Sequence, residues 1–190
     1  MKQLAHAETP NADAQAVDAR FGILNRWTFL MGQAYEAKAF LDLAETTHQV
    51  DEGSTLEQVL TQQALFRAFL LSYGKCFAQS GKGRSSLDPR KVFAGNDRAM
   101  PIHERIMTLR HTFAAHNDAS GLDHAVIDVE ETDQEFVVSQ RYALANPLHE
   151  YPGYRSALRV LEEYIVEQTN RTIASLEKQF SKRLRVRSAG

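Results

Sequence analysis

The chain has 190 residues, of which 43% are hydrophobic and 24% charged, and its formal net charge is -2 at pH 7. These values fit one globular domain that buries a core without metals or disulfides, and they exclude binding of nucleic acid through bulk positive charge. Cys76 is the only cysteine, which excludes an internal disulfide and favours a buried structural thiol in a reducing compartment.

The first 18 residues form an N-terminal segment without a predicted element. Residues 1–18 carry three acidic side chains and no apolar run of the length that a signal peptide needs. No later stretch is apolar for long enough to cross a bilayer. We therefore expect no membrane contact and a cytoplasmic location.

The first predicted helix covers residues 19–46. Apolar side chains recur there at steps of three and four residues, which is the period of a helix with one buried face. This stripe contains Trp27 and Tyr35. We interpret both aromatic residues as core residues rather than as contacts to a cofactor.

The second predicted helix covers residues 55–79 and presents a broad apolar face. Ser54 or Thr55 can cap its first turn, and Glu57 or Gln58 stands where the partner in a capping box is expected. Because only a short connection separates this helix from the first, the two are predicted to form an antiparallel pair.

Residues 80–97 are rich in glycine, serine and proline and predict a long loop with one short helical turn. The simplest interpretation is a solvated connector. Long loops in compact domains are also often functional, and this one carries the basic residues Lys82, Arg84, Arg90 and Lys91.

The third predicted helix covers residues 101–117 and starts with a proline, which is favoured in a first turn. At about 100° per residue, the apolar side chains fall in one narrow sector with His116 at its edge. The residues predicted to lie together on the adjacent sector are His103, Arg110 and Asn117, so that Arg110 leans away from the core.

Two β-like runs follow, and they predict a hairpin over residues 124–145 with a solvent-facing acidic turn. A last helix is predicted over residues 153–182, followed by a basic tail. The predicted fold is therefore mainly α: a single domain, 1–190, built as an up-and-down bundle of about four long helices with one small β-hairpin insertion.

Four histidines lie close together in the sequence, which raises the question of a metal site. They are His103, His111, His116 and His124. None of them pairs at the spacing of four residues that puts two imidazoles on one helical face. The glycines of the 80–97 loop also lack the flanking strand and helix of a phosphate-binding loop. We predict neither a metal nor a cofactor.

The segment Arg110–His116 is the best candidate for a working site. An arginine on the flank of a helix is commonly a solvated charge, and a histidine in the last turn can bind the final carbonyl groups. A purely structural interpretation of both residues therefore stays open.

The same segment resembles a known motif. Residues 109–118, LRHTFAAHND, look like the signature of HEPN-domain proteins: an arginine, four to six intervening residues and a histidine, with the common pair Ala115-His116 and a polar residue at Asp118. The passage 72–81, SYGKCFAQSG, followed by Arg84, is similar to a passage in bacterial HEPN-like proteins. The resemblance covers about residues 19–122 in organisation and about ten residues in motif.

The resemblance implies a metal-independent endoribonuclease. Arg110 and His116 would be catalytic, with the imidazole transferring protons and the guanidinium stabilising the phosphorane. It also implies a homodimer with the motif helices across a two-fold axis, and an RNA substrate. An antitoxin partner would fit a toxin–antitoxin or defence setting. The residues expected to bind substrate are Arg84, His111, Asn117 and Asp118, with Arg90 and Lys91 as further basic groups.

Two alternatives remain open. Many active HEPN proteins have asparagine directly after the arginine, where this chain has His111. The chain can therefore be a HEPN-like module that has lost catalysis and serves in dimerisation or in binding RNA or a ligand. It can also be an unrelated helical interaction protein in which Arg110 and His116 are structural.

Overall fold

The computed structural model describes residues 12–47, 55–78, 86–115 and 122–186. The protein is mainly helical with one small antiparallel sheet, as predicted. Its elements are α1 (Ala12–Thr46), α2 (Leu56–Phe77), α3 (Pro89–Val92), α4 (Ala99–Leu109), a π-helix (Arg110–Ala115), β1 (Asp123–Glu131), β2 (Phe136–Leu144), a 3-10 turn (Leu148–Glu150) and α5 (Tyr151–Phe180). Within these ranges no helix combines the length and the apolar character that crossing a bilayer would require.

Helix α1 starts at Ala12, inside the segment predicted to precede it. Helix α2 starts as predicted, with a complete capping box. The backbone N–H of Gln58 donates to Oγ1 of Thr55 over 3.3 Å, and the backbone N–H of Thr55 donates to Oε1 of Gln58 over 2.8 Å. These bonds satisfy two amide groups that a helix start leaves without partners.

Helices α1 and α2 are antiparallel, as predicted. Nε2 of Gln62, near the start of α2, donates to the carbonyl of Ala44 near the end of α1, and Ser72 Oγ donates to Glu36 Oε2 further along. Helix α1 also packs against α5, and α4 packs against α2 and α5. The four helices therefore surround one core.

Aromatic rings fill the centre of this core. Phe66 is fully buried, and its ring centroid lies 5.5 to 6.1 Å from those of four other rings: Phe69, Phe113, Tyr151 and Tyr154. These rings come from α2, the π-helix and α5, so Phe66 connects the motif-bearing segment to the rest of the bundle.

One predicted core residue of α1 is exposed. Trp27 is buried as predicted, and its indole N–H donates to Oγ1 of Thr172 on α5 over 3.1 Å. The prediction for Tyr35 was wrong, because its side chain is 71% exposed. The neighbouring positions Ala34 and Ala37 are buried instead, since small side chains let the adjacent helices approach closely.

The hairpin forms almost where predicted. Strands β1 and β2 pair antiparallel with Val129 opposite Val138 and Glu131 opposite Phe136. The acidic residues of its turn are exposed, as expected.

Helix α5 lies two residues earlier than predicted at each end. In the loop predicted over 80–97, the short helical turn is α3, which Asp88 caps; residues 79–85 lie outside the described residues.

Candidate functional site

The predicted third helix changes its geometry at Arg110. The α-helical part ends at Leu109, and Arg110–Ala115 form a π-helix. Thr108 and Thr112 each donate a hydroxyl hydrogen bond to the carbonyl four residues earlier, an interaction that bends helices. Short π-helical turns occur often at functional sites. The angular positions predicted beyond Leu109 assumed an ideal α-helix, so they do not apply here.

Arg110 is half-buried against the last turn of α2. A Cβ atom at Gly74 would lie 2.9 Å from Cδ of Arg110 and 3.0 Å from its Nε, so the arginine side chain occupies the space that any other residue at position 74 would need. Nε of Arg110 is buried and has no hydrogen-bond partner in the part of the chain that the structure describes.

The end of the Arg110 side chain lies beside His111. Nη1 of Arg110 is 3.5 Å from Nδ1 of the imidazole, which is at the outer limit of a hydrogen bond. Within the described ranges Arg110 forms no ion pair with an acidic side chain. Other arginines do so: Arg105 pairs with Glu150, Arg141 with Asp128, Arg155 with Asp42 and Arg171 with Glu167. Among the described residues, no carboxylate therefore occupies the guanidinium donors of Arg110, which are the groups that would bind an anion.

A second arginine lies on the same side of α2. The guanidinium carbon of Arg67 is 4.5 Å from the ring centroid of Phe113, a cation–π distance. Arg67 and Gly74 are two helical turns apart on α2, so both face the π-helix. Neither residue was predicted to belong to the site. The one available signal was a glycine inside a helix, because such a residue often marks a close approach.

His103 lies inside the core, and not on a sector beside the core face as predicted. Only 5% of its surface is exposed. Its Nδ1 shares a hydrogen bond of 2.9 Å with the Tyr73 hydroxyl, and the rings of Phe77 and Phe93 pack against it. Burial lowers the pKa of the imidazole to about 4. The hydrogen bond from a core tyrosine explains how a polar ring is accommodated there.

The structure brings together only part of the predicted site. Arg110 and His111 are described, whereas Arg84, His116, Asn117 and Asp118 lie outside the described residues. Arg90 and Lys91 are exposed on α3. Among the described residues, no three histidine, cysteine, aspartate or glutamate side chains gather as metal ligands would.

The described part of the site is therefore suited to binding an anion. It presents a fixed guanidinium, backed by a glycine and next to an imidazole, to an anion such as a phosphodiester. Comparison of the chain with protein-family models, with curated proteins and with solved structures finds no match.

Proposed function

We propose that this chain is a HEPN-like, metal-independent endoribonuclease of the cytoplasm that acts in a defence or toxin–antitoxin setting. The observation that carries the proposal is the half-buried guanidinium of Arg110, seated on Gly74 without an acidic partner in the described ranges. It belongs to the Arg110–His116 motif and stands at the start of a π-helix. An arginine that served only as a solvated charge would need neither a glycine beneath it nor a buried Nε.

The proposed reaction is an internal transesterification of RNA. The ribose 2′-oxygen bonds to the adjacent phosphorus, the bond from phosphorus to the 5′-oxygen breaks, and a 2′,3′-cyclic phosphate and a 5′-hydroxyl result. His116 transfers protons to or from these oxygens, since an imidazole titrates near neutral pH. Arg110 stabilises the additional negative charge on the phosphorane with two directed donors.

The proposal includes a two-fold partner and an RNA substrate. A second copy would supply a second arginine and histidine to a shared cleft, because an isologous interface places the same residues on both sides of the axis. His111 would contact the substrate next to Arg110, together with Arg84, Asn117 and Asp118. An antitoxin protein would then act by covering this cleft.

The test is RNA cleavage by purified protein in the presence of EDTA. We expect wild-type protein to cleave and Arg110→Ala and His116→Ala each to lower the rate at least about 100-fold, the scale observed when one charge-stabilising group is removed from a transition state. Arg171→Ala is the matched control, because Arg171 is exposed on α5 and pairs with Glu167. Wild-type rates in both site variants, or loss of cleavage in EDTA, would contradict the proposal.

A second candidate is a HEPN-like module that binds RNA without cleaving it. The contact between Arg110 and His111 favours it, since an imidazole at 3.5 Å competes for the donors that the phosphorane would need. This candidate predicts RNA binding that Arg110→Ala weakens, with no cleavage product. Under this candidate His111→Asn leaves RNA uncleaved, whereas a ribonuclease restrained by His111 becomes faster in the same variant.

A further inference from the structure

The β-hairpin has one polar and one strongly apolar face. Side chains of residues paired across the strands point to the same side, and alternate residues point to opposite sides. One side carries the Asp128–Arg141 ion pair and Glu130. The other side carries Gln140, Glu131 and five large apolar or aromatic side chains. These five, here called the apolar hairpin face, are between 53% and 66% exposed: Ile127, Val129, Phe136, Val138 and Tyr142.

Among the described residues, hydrogen bonds between the hairpin and the helical body lie at its base. The backbone N–H of Ala145 donates to the carbonyl of Leu122 over 2.7 Å, and Gln63 Nε2 on α2 donates to the carbonyl of Ala145 over 2.9 Å. Beyond this base, the strands pack on each other and have no extensive contact with a described helix. An isolated two-stranded hairpin is only marginally stable in water, so its apolar face needs a cover.

We propose that the apolar hairpin face is a dimerisation surface, covered by the same face of a second copy of this chain about a two-fold axis. The five side chains expose roughly 600 Å² and two copies would bury on the order of 1,200 Å², the lower bound for a stable specific interface. Two sheets that pack face to face interdigitate side chains in this way. This surface is separate from the Arg110 site, so pairing through the motif helices would be a second interface with its own two-fold axis. The inference does not depend on RNA cleavage.

The charges of the hairpin argue against two other occupants, RNA and an anionic membrane. The acidic residues at its tip and on its polar face, Glu130, Glu131, Asp133 and Glu135, would repel RNA and an anionic membrane. By the strand register, Glu131 lies on the same side as the apolar hairpin face, at the tip. A two-fold axis that runs the hairpins in opposite directions separates the two copies of Glu131, which lowers the repulsion between them.

Pairing through the strand edges would not achieve the same result. It would satisfy the free backbone groups of β1 or β2, but it would leave the apolar hairpin face in water. Contiguous apolar surface of this size on a protein commonly marks an interaction site. Face-to-face packing of two hairpins removes that apolar surface from contact with water.

The first experiment compares two lysine variants on neighbouring residues. Val138 belongs to the apolar hairpin face, whereas Val137 points to the polar face. We expect wild-type protein to sediment as a dimer at micromolar concentration, Val138→Lys to raise the dimer dissociation constant at least 100-fold, and Val137→Lys to remain a dimer. A wild-type monomer at 100 µM, or equal dissociation constants in the two variants, would overturn the inference.

A second experiment maps the contact with a bis-maleimide cross-linker. Cys76 is the only cysteine of the chain and is buried, so an introduced thiol is the reactive one. Val129→Cys, on the apolar hairpin face, should give a cross-linked dimer, and Ser139→Cys, on the polar face, should not. Cross-linking through Ser139→Cys alone would contradict the face-to-face arrangement. The double variant Val129→Cys/Arg110→Ala should cross-link to the same extent as Val129→Cys alone. Cross-linking therefore tests the hairpin contact independently of the proposed ribonuclease activity.

Discussion

The side chain of Arg110 rests directly on the backbone of Gly74, where a Cβ atom would lie 2.9 Å from Cδ of the arginine. Glycine inside a helix costs about 1 kcal/mol relative to alanine. Position 74 is buried in the last turn of α2, and there the missing side chain makes room for the guanidinium. The position of a candidate catalytic group thus depends on a residue in another helix.

Gly74→Ala tests this dependence. We expect the new methyl group to displace Arg110, so that RNA cleavage or RNA binding falls at least about tenfold, the equivalent of 1.4 kcal/mol. The melting temperature should change little, because the higher helix propensity of alanine offsets the strain of the contact. The measurement is activity together with thermal unfolding.

Gly32→Ala is the control for that experiment. Gly32 lies in α1, where an added Cβ would meet no atom within 4 Å. We expect it to raise stability by about 0.5–1 kcal/mol and to leave activity unchanged. If both alanine variants kept wild-type activity, Gly74 would have no role in positioning Arg110.

Local patterns predicted most of the fold. The capping box at Thr55 and Gln58, the antiparallel α1–α2 pair and the position of the hairpin were all predicted from local signals: a cap motif, a short connection and alternating apolar residues. These signals are strong because each has a specific hydrogen-bond or periodicity requirement.

Contacts between residues that are distant in sequence explain the side-chain positions that the sequence did not predict. His103 is buried because the hydroxyl of Tyr73, 30 residues away, provides its hydrogen bond. Arg110 is held by Gly74, and Tyr35 is exposed because alanines occupy the packed face of α1. The π-helix could not be foreseen from a pattern that assumes 3.6 residues per turn.

Glu150 connects α4 to the start of α5 through two side chains. It accepts two hydrogen bonds of 2.9 Å from Arg105 and one of 2.7 Å from the Tyr154 hydroxyl. The hydrogen bonds from Arg105 lower the pKa of Glu150. Because Arg105 is partly exposed, we expect Glu150→Gln to lower the free energy of unfolding by only about 1 kcal/mol, and less in high salt.

The matched control for Glu150→Gln is Glu167→Gln. Glu167 pairs with Arg171 on the exposed face of α5, and such pairs contribute less than about 0.5 kcal/mol. Urea denaturation of both variants gives the comparison. Equal losses in the two variants would mean that the Arg105–Glu150 pair does not link the helices.

The Cys76 thiol should be inert in the folded protein. Its side chain is fully buried, and burial raises the pKa of the thiol to about 12. Since the thiolate is the reactive form, we expect a thiol reagent to label Cys76 only as fast as the chain opens. Tyr35→Cys, at an exposed position of α1, provides a rapidly labelled reference. Rapid labelling of Cys76 in native wild-type protein would contradict its buried position.

His103 makes the stability of the protein depend on pH. Burial lowers the pKa of its imidazole from 6.5 to about 4. Above pH 6.5 the ring is neutral in the folded and the unfolded chain alike. Between pH 6.5 and pH 4 only the unfolded chain binds the proton, so the free energy of unfolding decreases as the pH falls, by about 3 kcal/mol in total from this group.

The variant His103→Gln isolates this contribution. Glutamine keeps a polar partner for the Tyr73 hydroxyl but does not titrate, so we expect lower stability at pH 7 and a shallower loss of stability between pH 6.5 and pH 4. His149→Gln, at an exposed position before α5, should retain the wild-type slope. Urea denaturation across this pH range measures all three proteins. If the slope of His103→Gln equalled that of the wild type, the buried imidazole would not be the group that senses pH, and the carboxylates that bind protons in the same range would have to supply the whole effect.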